Sequence, residues 1–90
     1  MQKGTFRLIS YDEGGIKGSP ERMRLVCNTE SGHLLAIWGS ESSTRNIDLV
    51  REAGLPCTIE CEFRPPNPVH AEKFGHTHWV PETTDLRILD

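Results

Sequence analysis

A chain of 90 residues is too short for two hydrophobic cores, so we predict a single domain over residues 1–90. Its 36% hydrophobic and 26% charged residues are typical of a soluble globular protein. The formal net charge of −3 excludes a strongly basic surface. Binding to nucleic acid would therefore need a local basic patch.

The apolar runs and the cysteines bear on the compartment of the protein. The longest apolar run, residues 34–38, is far shorter than the roughly 20 residues of a membrane-spanning helix, and we expect no signal peptide. Cys27, Cys57 and Cys61 are odd in number and lack a disulfide-framework spacing. This pattern fits buried free thiols in a reducing compartment better than a disulfide scaffold, so we expect a cytoplasmic protein with no membrane partner.

The first half of the chain predicts three strands. These segments, rich in β-forming residues, are residues 5–11, 22–28 and 33–39. The polar stretch over residues 12–20 predicts a flexible loop, whereas residues 29–32 form a tight turn that joins the second and third strands in a hairpin. Alternation along the third strand turns Leu35 and Ile37 to the core and Trp38 to the opposite face.

The second half predicts a short helix and the rest of a sheet. The helix runs from Asn46 or Ile47 to Ala53 and is stopped by Gly54. Residues 57–64 alternate cleanly and form the fourth strand. A proline-rich loop follows, to about residue 75. The closing strand is then either residues 77–80 or residues 85–89, or both segments form one strand that is interrupted at a proline.

This order of elements predicts the fold class. It is all-β with one short helix, and a helix between the third and fourth of five strands is the order of a five-stranded OB-fold barrel. Closing the sheet into a barrel removes the exposed edges that a small β-domain must otherwise protect. An SH3-like barrel is the competing architecture, but it has no natural place for the helix.

The hairpin also carries a resemblance to a known family. The acidic-Ser-Gly turn at residues 30–32, followed by Leu-Ala-Ile-Trp-Gly over residues 35–39, resembles single-strand-binding OB domains of the replication protein A type. Gly54 after the helix and the apolar strand behind it fit the same pattern. The resemblance covers roughly residues 22 to 64. It implies an OB fold that binds single-stranded DNA or RNA and needs no cofactor.

The resemblance and the strand alternation together indicate a binding face. In that family an aromatic residue at the end of the third strand stacks on a base, and a second comes from the loop after the fourth strand. Trp38 matches the first position and Phe74 is the aromatic residue in the matching loop. Basic side chains expected to contact phosphates are Arg22, Arg24, Lys17 and Arg64. In the alternative interpretation Trp38 packs in a protein interface, and the domain is an interaction or oligomerisation module.

The cysteines and histidines are weaker indications of a metal or catalytic site. Cys57 and Cys61 on one strand face lie about 13 Å apart, too far to share a zinc ion, so they are better read as core residues. His76 and His78 would lie about 7 Å apart on one strand face, but two histidines alone are an incomplete metal site. The sequence contains no Gly-x-Ser-x-Gly, P-loop or His-Glu-x-x-His motif, and we predict neither an enzyme nor a metal site.

Overall fold

A computed structural model describes the backbone of residues 2–16 and 19–90, and the side chains of residues 15, 16, 19–22 and 74 lie outside that description. Within the described part the chain forms six strands and two short helices. In chain order they are β1 (Gln2–Ile16), β2 (Ser19–Thr29), β3 (Leu34–Ser40), α1 (Arg45–Ala53), β4 (Cys57–Phe63), α2 (Pro68–Phe74), β5 (His78–Val80) and β6 (Leu86–Ile88). Neither helix has the length or the apolar character to span a bilayer.

The strands form one curled sheet in the order β5-β3-β2-β1-β4-β6, which closes into a half-barrel. Neighbouring strands are antiparallel except β3 and β5, which are parallel. Just after β4, the backbone of Arg64 forms two hydrogen bonds with that of Trp79 in β5, of 2.8 and 2.9 Å. This bridge ties β4 back to β5, and the arrangement is consistent with a small β-barrel.

The core lies inside the curl and follows the strand alternation. Leu25, Leu35, Ile37 and Ile59, from three different strands, are fully buried. All three cysteines are also buried within the core and carry free thiols, as the sequence predicted. Each fully buried leucine or isoleucine contributes about 1.5–3 kcal/mol through the removal of its surface from water.

Helix α1 lies between β3 and β4 in the chain, where the sequence predicted a helix, and packs against β3 and β6. It contributes Ile47 and Val50 to the core. Its close contact with β3 depends on Gly39, where an added Cβ would lie 2.6 Å from Cδ1 of Ile47. The side chain of Asn46 is buried too and donates to the carbonyl oxygen of Thr84 at 2.9 Å, which holds the chain before β6 against the helix.

The strands differ from the predicted ones in two places. The sheet has six strands rather than five, because residues 77–80 and 85–89 contribute separate strands. A turn at Pro81 and Thr84 separates them, so that β5 pairs with β3 while β6 pairs with β4. The prediction of a loop over residues 12–20 is also wrong for the part that the structure describes, because Asp12 and Glu13 are paired with β2 in a long hairpin. Glu13 also forms an ion pair with Arg51 of α1.

A second helix, α2, replaces most of the predicted proline-rich loop. The side chain of Asn67 caps its start by accepting a hydrogen bond from the Val69 N–H at 2.9 Å, and Pro68 occupies the first turn. Gly75 ends it in the left-handed conformation, with φ 76°, and donates its N–H to the Ala71 carbonyl. The prediction of a single helix is therefore wrong, and α2 carries residues that border the candidate site.

Candidate functional site

Two tryptophans lie side by side on the outer face of the half-barrel. Trp38 is on β3, where Leu35 and Ile37 turn to the core, as the alternation predicted. Trp79 is on β5, and its neighbour Val80 faces the core. The two indole rings meet edge to face, with centroids 6.4 Å apart and planes at 69°. Such a pair is a favourable aromatic arrangement that leaves part of each ring open to a ligand.

Helix α2 adds imidazole rings to this face. His70 lies nearly parallel to Trp38, with ring centroids 6.3 Å apart and an angle of 26° between the planes. His76, just before β5, is 4% exposed and lies in the same region. Burial lowers the pKa of His76, and the nearby His70 and Arg24 lower it further. Its imidazole is therefore neutral at pH 7 and has both a donor and an acceptor nitrogen.

The tryptophan pair borders two hollows. One, of about 250 Å³, has Arg64 and Glu82 in its wall together with both indoles. The other, of about 270 Å³, is lined by both indoles and by Asn67, His70 and His76. Because the same two rings line both hollows, a flat ligand in either one would lie against a tryptophan.

Two arginines supply positive charge next to these rings. Arg24 on β2 is the direct antiparallel partner of Trp38, so the two side chains lie on the same face. The guanidinium carbon of Arg64 lies 5.7 Å from the centre of the Trp79 ring, within cation–π range. Two cationic side chains therefore lie beside the indoles, and Glu82 lines the same hollow as Arg64.

The indole N–H groups of Trp38 and Trp79 are buried and have no acceptor among the described residues. An indole nitrogen is a donor only, and leaving such a donor unpaired costs about 1–3 kcal/mol. The two tryptophans therefore present ring surface, rather than accessible N–H donors, to a ligand in the two hollows.

The structure brings together three of the predicted site residues, Trp38, Arg24 and Arg64. Arg22 lies opposite Ser40 in the backbone register, and Phe74 is the last residue of α2, but the side chains of both lie outside the described residues. Lys17 lies outside the described residues altogether.

The prediction missed Trp79, His70 and His76 as members of the site. Trp79 lies in the segment over residues 77–80, which was predicted as a possible strand but was not placed beside β3. His70 lies on α2, where a proline-rich loop was predicted. The Asn67-Pro68 pair, a cap followed by proline in the first turn, was the signal that could have revealed the helix.

The two histidines considered as a metal pair lie in different clusters. His76 borders the indoles, whereas the ring of His78 packs against those of His33 (centroids 4.7 Å apart) and Phe63 (4.9 Å). Nδ1 of His78 is also 2.7 Å from the hydroxyl of Thr77. Within the described ranges no group of three or more potential metal ligands has a suitable arrangement.

The cysteine thiols are poorly placed for chemistry. Burial raises the pKa of Cys27 and of Cys61 to about 12, and it also raises the pKa of Cys57. A thiol is nucleophilic as its thiolate, which such surroundings disfavour.

In comparisons with known proteins, no family model, no curated protein and no solved structure matches this chain. The functional proposal is therefore based on the geometry and chemistry of the site itself.

Proposed function

We propose that this domain is an OB-fold module that binds single-stranded DNA or RNA, with little sequence preference, on the face around Trp38 and Trp79. The OB-fold assignment is supported by the helix between β3 and β4, by the parallel pairing of β3 with β5, and by the backbone bridge from the end of β4 to β5. On this interpretation β6 is an addition at the edge of a five-stranded barrel.

The single observation that carries the functional proposal is the edge-to-face tryptophan pair with arginines at its sides. Bases stack on the open indole surface, which tolerates any base because every base has a π-face. Arg24 and Arg64 contact the phosphates between them. Lys17, Arg22 and Phe74, predicted from the sequence, extend this face in the same proposal.

Two arginine–phosphate contacts predict a measurable but shallow salt dependence. Each phosphate neutralised on a single strand contributes about −0.7 to the slope of log affinity against log salt concentration, so two contacts give about −1.4. A tenfold rise in salt then weakens binding about 25-fold. This modest slope fits a chain whose formal net charge is −3.

Substitution of Trp38 tests the stacking role. The assay is the fluorescence anisotropy of a labelled twelve-nucleotide oligothymidylate titrated with protein at low salt. Trp38→Leu keeps an apolar side chain and removes the π-face, and we expect a loss of about 5- to 150-fold, the range that corresponds to 1–3 kcal/mol per stacked base.

Trp38→Phe is the matched control, because it keeps an aromatic face and should retain most of the affinity. Equal binding by wild type, Trp38→Leu and Trp38→Phe would contradict base stacking at this position. The melting temperature of each variant, measured in parallel, shows whether a loss of binding comes from a loss of folding.

The rival function is an interaction or oligomerisation module that uses the same face. It is favoured by Val69, which is 70% exposed on α2 beside the site. This function predicts a stable dimer or complex by sedimentation and no response to oligonucleotide. Apolar contacts would also leave any binding nearly independent of salt, in contrast to phosphate contacts.

A further inference from the structure

The ring of His70 covers part of the Trp38 indole. The two rings are within 26° of parallel, and their centroids lie 6.3 Å apart. Aromatic rings in offset-stacked contact have centroids about 4.5–7 Å apart, so these two rings touch and no further ring fits between them. A base that stacks on this part of Trp38 must therefore displace His70.

The described side chains of helix α2 bury little surface. Ala71 is half-buried and the others, His70 among them, are exposed. None of these side chains belongs to the hydrophobic core. Local opening costs least where few apolar contacts are buried, so displacing α2 from the sheet costs less than opening the core strands.

The chain is anchored on both sides of α2. On one side the backbone of Arg64 is hydrogen-bonded to that of Trp79, at 2.8 and 2.9 Å. On the other side Thr77 donates its backbone N–H to the Leu34 carbonyl oxygen at 2.9 Å, and its hydroxyl oxygen accepts from the Leu34 N–H at 3.0 Å. The helix lies within residues 65–76, between these anchors. It can therefore move without breaking the pairing of β5 with β3.

We infer that α2 is an autoinhibitory lid, which covers a stacking surface of Trp38 and moves away when a single strand binds, an inference that rests on the proposed function. His70 is the residue of the lid that competes with a base for the indole. A domain that binds only in its open state has its apparent affinity lowered by the fraction of molecules that are open. The stability of the closed lid therefore sets part of the affinity for a single strand.

Two variants weaken the lid in different ways, and both are tested with the same labelled oligothymidylate and anisotropy assay. His70→Ala removes the competing ring, and we expect the affinity to rise about 2- to 12-fold, which corresponds to about 0.5–1.5 kcal/mol for a stacked pair. Ala71→Gly keeps the ring but lowers the helix propensity of α2, and the affinity should rise by up to about fivefold.

Val69→Thr is the matched control. It changes the exposed residue next to His70 but keeps a β-branched side chain of the same shape, so it should leave the affinity unchanged. The melting temperature of each variant, measured in parallel, shows that the fold is retained.

A second measurement asks whether His70 competes for Trp38 itself. In the Trp38→Leu background, His70→Ala should change the affinity less than about twofold, because the indole surface for which the ring competes is gone. An equal gain in affinity with and without the indole would show that His70 obstructs the strand elsewhere, and it would overturn the lid over Trp38.

The lid also has a test that needs no nucleic acid. Trp79→Phe leaves Trp38 as the only tryptophan in the sequence, and acrylamide quenching of its fluorescence measures how accessible the indole is. In this background His70→Ala and Ala71→Gly should each raise the quenching constant, whereas Val69→Thr should not. An unchanged quenching constant in His70→Ala would overturn the lid.

The remaining outcomes separate the lid from the proposed function. If wild type binds and His70→Ala binds equally well or more weakly, the lid is wrong and the stacking function stands. Binding by the two lid variants but not by wild type would support both. If neither wild type nor the lid variants bind, the proposed function fails, and the quenching constants alone decide whether α2 covers Trp38.

Discussion

A substitution at Gly39 tests the close contact between α1 and β3. A Cβ at this position would lie 2.6 Å from Cδ1 of Ile47, against an ordinary contact distance of about 3.5–4.0 Å, so Gly39→Ala forces a displacement of about 1 Å. Ile47 is fully buried, so its side chain can give way only by repacking against its core neighbours. Overpacking costs about 1–3 kcal/mol, and the stiffer unfolded chain offsets about 0.4–1 kcal/mol of this.

The expected net loss for Gly39→Ala is thus about 1–2 kcal/mol in the free energy of unfolding. At about 4–8 °C per kcal/mol for a domain of this size, the melting temperature falls by roughly 5–15 °C. Urea unfolding followed by circular dichroism measures the loss. Gly14→Ala is the matched control, because nothing lies within 4 Å of an added Cβ there, and it should be neutral or slightly stabilising.

A double-mutant cycle identifies the atom responsible. Ile47→Val removes Cδ1 and by itself costs about 0.5–1.5 kcal/mol. In combination with Gly39→Ala it should cost little more than Ile47→Val alone, because the clash has gone. Strictly additive losses would refute the proposed contact, since two residues in contact should show a coupling of at least about 0.5 kcal/mol.

Three further predictions concern the core and the buried histidines. Asn46→Ala removes a buried amide and leaves the Thr84 carbonyl without this donor, so the free energy of unfolding in urea should fall by about 1–3 kcal/mol. An unchanged midpoint would contradict the role of the amide. The thiols of Cys27 and Cys61, with pKa values raised to about 12 by burial, should react with a thiol reagent at pH 8 only after unfolding; rapid labelling of the native protein would show that they are not buried. Burial lowers the pKa of His76 and of His78 below the value of about 6.5 that histidine has in an unfolded chain. Below about pH 6.5 the unfolded chain therefore binds more protons than the folded protein does. Stability should therefore be full above about pH 6.5 and fall as the pH drops through the folded values; a denaturation midpoint that rises between pH 7.5 and 5 would contradict this sign.

Strand alternation made the central part of the fold predictable. Leu25, Leu35 and Ile59 are buried where a period of two places them, and the helix after β3 begins within two residues of its predicted start. The same alternation placed Trp38 on the outer face. These features depend on residues close together in the chain, which is why sequence alone indicated them.

The parts that the sequence did not reveal depend on contacts between distant residues. Strand β5 has only three residues, and its parallel pairing with β3 places Trp79 beside Ala36, 43 positions earlier in the chain. The glycine-rich stretch after Tyr11 has weak β-propensity, yet it continues β1 because β2 pairs with it. Helix α2 was hidden by its flanking prolines. As a consequence the sequence located one ring of the candidate site and missed its neighbours.

Binding of a single strand to the tryptophan face can be followed through the two indole N–H signals in proton–nitrogen correlation spectra. Unlabelled oligothymidylate is titrated into nitrogen-15-labelled protein at low salt. We expect the signals of Trp38 and Trp79 to shift together and saturably, and the shifts to weaken at high salt, while backbone signals of β6 stay in place. If both indole signals remain unmoved at saturating oligonucleotide, or if the shifts concentrate at β6, the tryptophan face is not a binding site for single-stranded nucleic acid.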